Sequence, residues 1–150
     1  MAIKTKHSNI ANGNQSTVAG GYNNQATGVG STVAGGYNNQ AKNNQSTVGG
    51  GSGNQATGEK STISGGDANK ATDTYSTVGG GRVNHATGRN STVAGGYDNQ
   101  ATGNGSFAAG VENRANTDNA VAVGKKNIID GDNSAAIGSN NTVAQDKKDV

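Results

Sequence analysis

The chain has 150 residues, of which 29% are hydrophobic and 3% aromatic, with no cysteine, no proline and a formal net charge of +2. Disulfides and thiolate metal sites are therefore impossible, the charge leaves no electrostatic footprint for nucleic acid, and Ala and Val are too small to fill a thick core. Twenty-six glycines without a Gly-X-Y period exclude collagen, so a tandem repeat that needs little apolar volume per residue is the fold class left.

Residues 1–7 read as a lead-in with lysines but no apolar stretch of secretory type. A serine then recurs at Ser16, Ser31, Ser46, Ser61, Ser76, Ser91 and Ser106, fifteen residues apart, and the step shortens to fourteen over Ser106, Ala120 and Ser134. This divides one continuous domain into fifteen-residue coils over 8–105, fourteen-residue coils over 106–145 and a tail over 146–150. The long unit reads Ser-Thr-Val-Ala-Gly-Gly-Tyr-Asn-Asn-Gln-Ala-Thr-Gly followed by two variable residues. Deleting one glycine of the Gly-Gly pair aligns it with the short unit, which places the extra residue at the glycine turn.

In each coil, Ser-Thr-Val-Ala and Tyr-Asn-Asn-Gln-Ala-Thr alternate with period two, the strand signature, and the density of Gly, Asn, Thr and Ser disfavours helix. The expected fold is all-β: a parallel β-solenoid of two facing sheets, about nine coils and ~45 Å long at roughly 4.8 Å per coil. Ser16, Val18, Asn24 and Ala26 with their equivalents are expected inside. The buried asparagine column, Asn9 through Asn141, then needs its amides bonded to one another or to turn backbone.

The outer face of the first strand carries Thr17, Thr32, Thr47, Thr62, Thr77 and Thr92, then Phe107, Val121 and Ala135. The next position on that face is read as Ala19, Ala34, Gly49, Ser64, Gly79, Ala94, Ala109, Val123 and Ile137. The face turns apolar toward the C-terminal end, and a lone thin rod is marginal. Thr17, Thr32, Thr47, Thr62, Thr77, Thr92, Phe107, Val121, Val123, Ala135 and Ile137 are therefore the expected interface of a cyclic homo-oligomer. Gln25, Gln40, Gln55, Lys70, His85, Gln100 and Arg114 on the other strand read as the solvent face, and Tyr22, Tyr37 and Tyr97 as a rim column covering the turn.

No catalytic constellation is expected. The serines form a structural column without a partner base, and Gly49-Gly50-Gly51 recurs as a turn with no Gly-Lys-Ser/Thr after it. His7 and His85 lie in distant coils, and the acidic residues occupy different columns, unlike a calcium roll. No cofactor or metal is expected, and no apolar run is long enough to insert in a membrane.

The segment Asn133-Ser134-Ala135-Ala136-Ile137-Gly138-Ser139 matches the pattern Asn-Ser-Val-Ala-Ile-Gly-x-x-Ser-x-Ala, and Asp118-Asn119-Ala120-Val121-Ala122-Val123-Gly124 is a second match. With these motifs the chain resembles, over residues 7–145, the head domain of trimeric autotransporter adhesins, the YadA-like heads built from Hep/Hag repeats. The resemblance implies a left-handed parallel β-roll in which three chains pack side by side on a bacterial outer membrane. It also implies attachment to host extracellular-matrix or cell-surface ligands.

The chain departs from the pattern in its fifteen-residue coils, in Thr-Val replacing Val-Ala, and in Asn113, Asn127 and Asn141 replacing a second serine. No neck motif, heptad stalk or anchor occurs within the 150 residues. Two other readings stay open: a viral or phage attachment-fibre β-roll, and an ice-binding β-solenoid that uses the threonine column as a lattice match. Against the ice reading, Ala19, Ala34 and their equivalents stand where a second threonine column is usually needed.

Overall fold

The computed structural model describes residues 8–145, so the lead-in 1–7 and the tail 146–150 lie outside the described residues. β-Branched Thr-Val pairs suit a pleated surface, and Thr17–Val18, Thr32–Val33 and their successors form short strands. Each is followed by a second strand such as Gln25–Ala26 or Gln40–Ala41. First strands stack into a nine-stranded sheet and second strands into a ten-stranded sheet, every pairing parallel. Among the described residues there is no helix. The all-β parallel solenoid read from the repeat is the observed architecture.

Register follows the sequence period: Thr17 lies beside Thr32 and Gln25 beside Gln40, whereas Gln100 lies beside Arg114 and Phe107 beside Val121. The position of the extra residue differs from expectation. Val93 pairs with Ala108, but Gly95, not Ala94, pairs with Ala109, and both glycines of the pair stay in the ladder. The residue lost in the short coils is therefore the one after Val93. In the long coils up to Thr77–Val78 the first strand is two residues, and the last long coil carries the extra residue within Thr92–Tyr97 beside the short coils. The short coils run unbroken over Phe107–Val111 and Val121–Lys125. Glycine flexibility alone was a poor guide, because the second glycine is structurally obligatory. Gly66 sits at φ +94, and a Cβ there would collide with the Gly81 carbonyl of the next coil.

The other corner is a tight turn before each serine. Ser31 N–H donates to the Gly28 carbonyl (3.2 Å), its hydroxyl donates to the same oxygen (2.8 Å), and Gly30 between them has φ 64. Positive φ at the third residue is the type II signature. Ser46, Ser61, Ser76 and Ser106 clamp their turns in the same way.

The core is one side chain thick. Val33, Val48, Ile63, Val78 and Val93 face Ala26, Ala41, Ala56, Ala71 and Ala86, all fully buried. Beside them runs the asparagine column, fully buried from Asn24 to Asn127. Each amide is satisfied within the ladder. Asn39 Oδ1 accepts the backbone N–H of Asn54 (3.0 Å), and its Nδ2 donates to Gly35 O (2.9 Å) and Gly51 O (2.8 Å). The expectation of amides bonded to turn backbone holds throughout. From Asn99 onward a direct amide–amide bond is added, as in Asn113 Nδ2 to Asn99 Oδ1 at 2.9 Å.

Candidate interaction surfaces

Because the serine, valine, asparagine and alanine columns point inward, every other side chain belongs to one of two strand faces or two turn edges. On the first-strand face, Thr17, Thr32, Thr47, Thr62, Thr77 and Thr92 align rung on rung and are continued in register by Phe107, Val121 and Ala135. Thr17 and Ala135 are exposed and the others half-buried. Val123 and Ile137 form a second column with Ala109. That column continues into Gly95, so Ala19 through Ala94 are not its N-terminal extension. The reason is the bulge-like extra residue, which shifts the register of the face between Val93 and Gly95. The two-column apolar strip is consequently confined to the fourteen-residue coils, where Ile137 is 76% exposed.

The second-strand face presents Gln25, Gln40, Gln55, Lys70, His85, Gln100 and Arg114 outward, half-buried or exposed. Arg114 Nη2 lies 3.7 Å from Asp98 Oδ2. His85 is held below the usual imidazole range, first by partial burial and then by the neighbouring Lys70 cation, with Asp98 opposing and Arg114 adding a smaller push. A base whose folded-state value is depressed contributes stability above its ordinary value of about 6.5 and loses it as pH falls. The urea midpoint is therefore expected to drop between pH 7 and pH 5, and less steeply in His85→Gln, which inserts the glutamine found elsewhere in that column.

One turn edge carries a continuous ladder, Tyr22, Tyr37, Ser52, Asp67, Arg82 and Tyr97. The rings of Tyr22 and Tyr37 stack with centroids 5.6 Å apart and planes 4° from parallel, and both are exposed. Asn23 Nδ2 donates to Asn38 Oδ1 alongside them (3.0 Å), and the Arg82 guanidinium lies 5.0 Å from the Tyr97 ring centre. Sequence reading identified the tyrosines as a rim column but missed their neighbours. Taking Ser52, Asp67 and Arg82 as the same column would have revealed the charge sequence. On the other edge Lys60 Nζ donates to Tyr75 Oη at 3.1 Å. Among the described residues no three His, Cys, Asp or Glu side chains converge on a metal site.

These rungs can be compared with known repeats. Residues 16–28, 31–42, 61–72 and 91–103, about a third of the chain, match the family model described as ubiquitous surface protein adhesin repeat. The similarity is to a surface adhesin repeat. Each matched stretch runs from the serine that follows the turn through the first strand, the Gly-Gly corner and the second strand, which is one rung of the solenoid. Among curated proteins no relative matches the sequence. The chain is thus a β-solenoid whose rungs are similar to a surface adhesin repeat.

Proposed function

We propose that this chain is a non-catalytic rod of a bacterial surface adhesin, acting as a side-by-side homotrimer that holds attachment surfaces away from the cell. The observation that carries the reading is the apolar strip of Phe107, Val121 and Ala135 beside Ala109, Val123 and Ile137, aligned in register on the outside of the rod. Parallel rods related by a threefold axis would bury this strip along their length and extend the contact through the threonine column. The adhesin-repeat similarity supports a surface-exposed role. Side chains that mostly bond their own ladder leave attachment, not turnover, as the function such a surface serves. Host matrix or cell-surface molecules are the partners that this reading implies.

Val121→Asp combined with Ile137→Asp places charge on the strip without touching the core. Sedimentation velocity is expected to show a trimer for the parent chain and a monomer of unchanged β-content for the variant. An unchanged sedimentation coefficient for the variant would refute the interface.

A further inference from the structure

The ridge formed by the turn ladder has one rung where the side chains nearly vanish. Ser52 is flanked by Gly49, Gly50, Gly51 and Gly53, whereas the rungs on either side carry Tyr37 and Asp67. The result is a notch two rungs wide, roughly 10 Å from wall to wall at ordinary strand spacing. Tyr37 is one wall. One of its faces is stacked on Tyr22, the other looks onto the Ser52 rung, and the ring is 55% exposed. Asp67 is the other wall, and its carboxylate is in none of the ion pairs among the described residues.

The same ladder shows what fits between a tyrosine face and this aspartate. Arg82 occupies the rung between Asp67 and Tyr97 and sets its guanidinium over the Tyr97 ring. The notch presents the same two walls in mirrored order, without the cation. We propose that the notch at Ser52 binds a guanidinium group, presented by an arginine side chain of a partner polypeptide. The guanidinium plane lies on the free face of Tyr37, its in-plane N–H donors bond Ser52 Oγ, and the Asp67 carboxylate attracts the cation from the next rung, as it stands one rung from Arg82 without an ion pair. A plane stacked about 3.5–4 Å from the ring stands near the level of the Ser52 rung, so its in-plane N–H groups point sideways toward Ser52 and the Asp67 carboxylate acts on the cation by charge alone. Arginine suits the slot better than lysine, because a flat delocalised cation can stack and donate at once, whereas an ammonium is a hydrated point charge. The site is on the turn edge, apart from the Phe107–Ile137 strip, so it functions whether or not the chains trimerise.

The test is an NMR titration of the ¹⁵N-labelled chain with Nα-acetyl-arginine amide, its neutral citrulline counterpart, its lysine counterpart and simple methyl glycosides. Binding is expected as saturable shifts at the Gly51, Ser52 and Gly53 amides and the Tyr37 ring, strongest for arginine, weaker for lysine and absent for citrulline. Asp67→Asn and Tyr37→Ser should each weaken the arginine probe by about three- to fivefold. Ser52→Arg supplies the cation from within the chain, so it should raise the thermal midpoint and abolish probe binding. Equal binding of citrulline, shifts scattered away from the notch, or undiminished binding to Ser52→Arg would each overturn the proposal. Glycosides moving the Ser52 rung while the arginine probe is silent would overturn it in favour of a saccharide site.

Discussion

Asn84→Ala is expected to lower the unfolding free energy by about 3–5 kcal/mol and to split the melting of the rod into two steps. The Asn84 amide is the hub of its rung. Its oxygen accepts Asn99 N–H (3.0 Å) and Asn99 Nδ2 (3.1 Å), and its nitrogen donates to Gly80 O (2.8 Å) and Gly96 O (2.9 Å). Alanine strands a buried backbone N–H and leaves a void in a core with no neighbouring mass to collapse into it. In a solenoid each coil touches only its neighbours, so the lesion weakens one junction instead of the whole. Hydrogen exchange should accelerate first at Asn84 and Asn99, and differential scanning calorimetry should resolve two transitions where the parent shows one. A single transition with an unchanged midpoint would contradict the ladder's role.

Asn84→Asp adds a test with a sign. The carboxylate still accepts from Asn99, but its second oxygen faces the Gly80 and Gly96 carbonyls that the amide nitrogen satisfied. The folded state therefore prefers the protonated acid, and the carboxyl is raised above the ordinary aspartate range of about 4. Stability should be greatest below that value and be lost as pH rises through the folded-state titration, opposite to the trend expected from His85. Chemical denaturation at pH 3.5 and pH 7 separates the two.

Gly66→Ala should cost at least about 3 kcal/mol while Gly65→Ala changes stability by less than about 0.5 kcal/mol. The two glycines are adjacent and look equivalent in the sequence. Gly66 has φ +94 and a Cβ direction blocked by the Gly81 carbonyl and by Asn69 Nδ2 at 2.7 Å. Gly65 has no positive φ, and its Cβ would enter open space. The blocked direction matters because the Gly81 carbonyl also receives Asn69 Nδ2 (2.9 Å) and Asp67 N–H (2.9 Å), so it cannot retreat without breaking both. Thermal denaturation of the matched pair measures the difference directly. Equal midpoints would mean that the second glycine is not the structural one.

The difference between these glycines marks the limit of column reading. The short coils keep Gly110, Gly124 and Gly138, which pair in register with one another and with Gly96, so the sequence did hold a sign that the second glycine is fixed. Deleting either glycine leaves Thr-Val-Ala-Gly-Tyr, which aligns letter for letter better with Phe-Ala-Ala-Gly-Val than the Thr-Val-Gly-Gly-Tyr left by deleting Ala94, and only backbone pairing shows that Ala94 is the extra residue. The apolar interface candidates suffered the same ambiguity. Thr17 through Ala135 form one column as read, whereas the Ala109, Val123 and Ile137 column has a different N-terminal neighbour.

What the sequence determined by itself is the solenoid, its two coil lengths, its inward columns and the need for a bonded asparagine ladder. A fold with one repeating contact writes that contact at every period, so local pattern and tertiary packing carry the same information. The tertiary structure alone decided where the fifteenth residue sits, which glycine is irreplaceable, and how side chains of one column meet, as in the Arg82 guanidinium over the Tyr97 ring. These depend on dihedrals at a corner and on variable side chains brought together across coils, which no periodicity encodes.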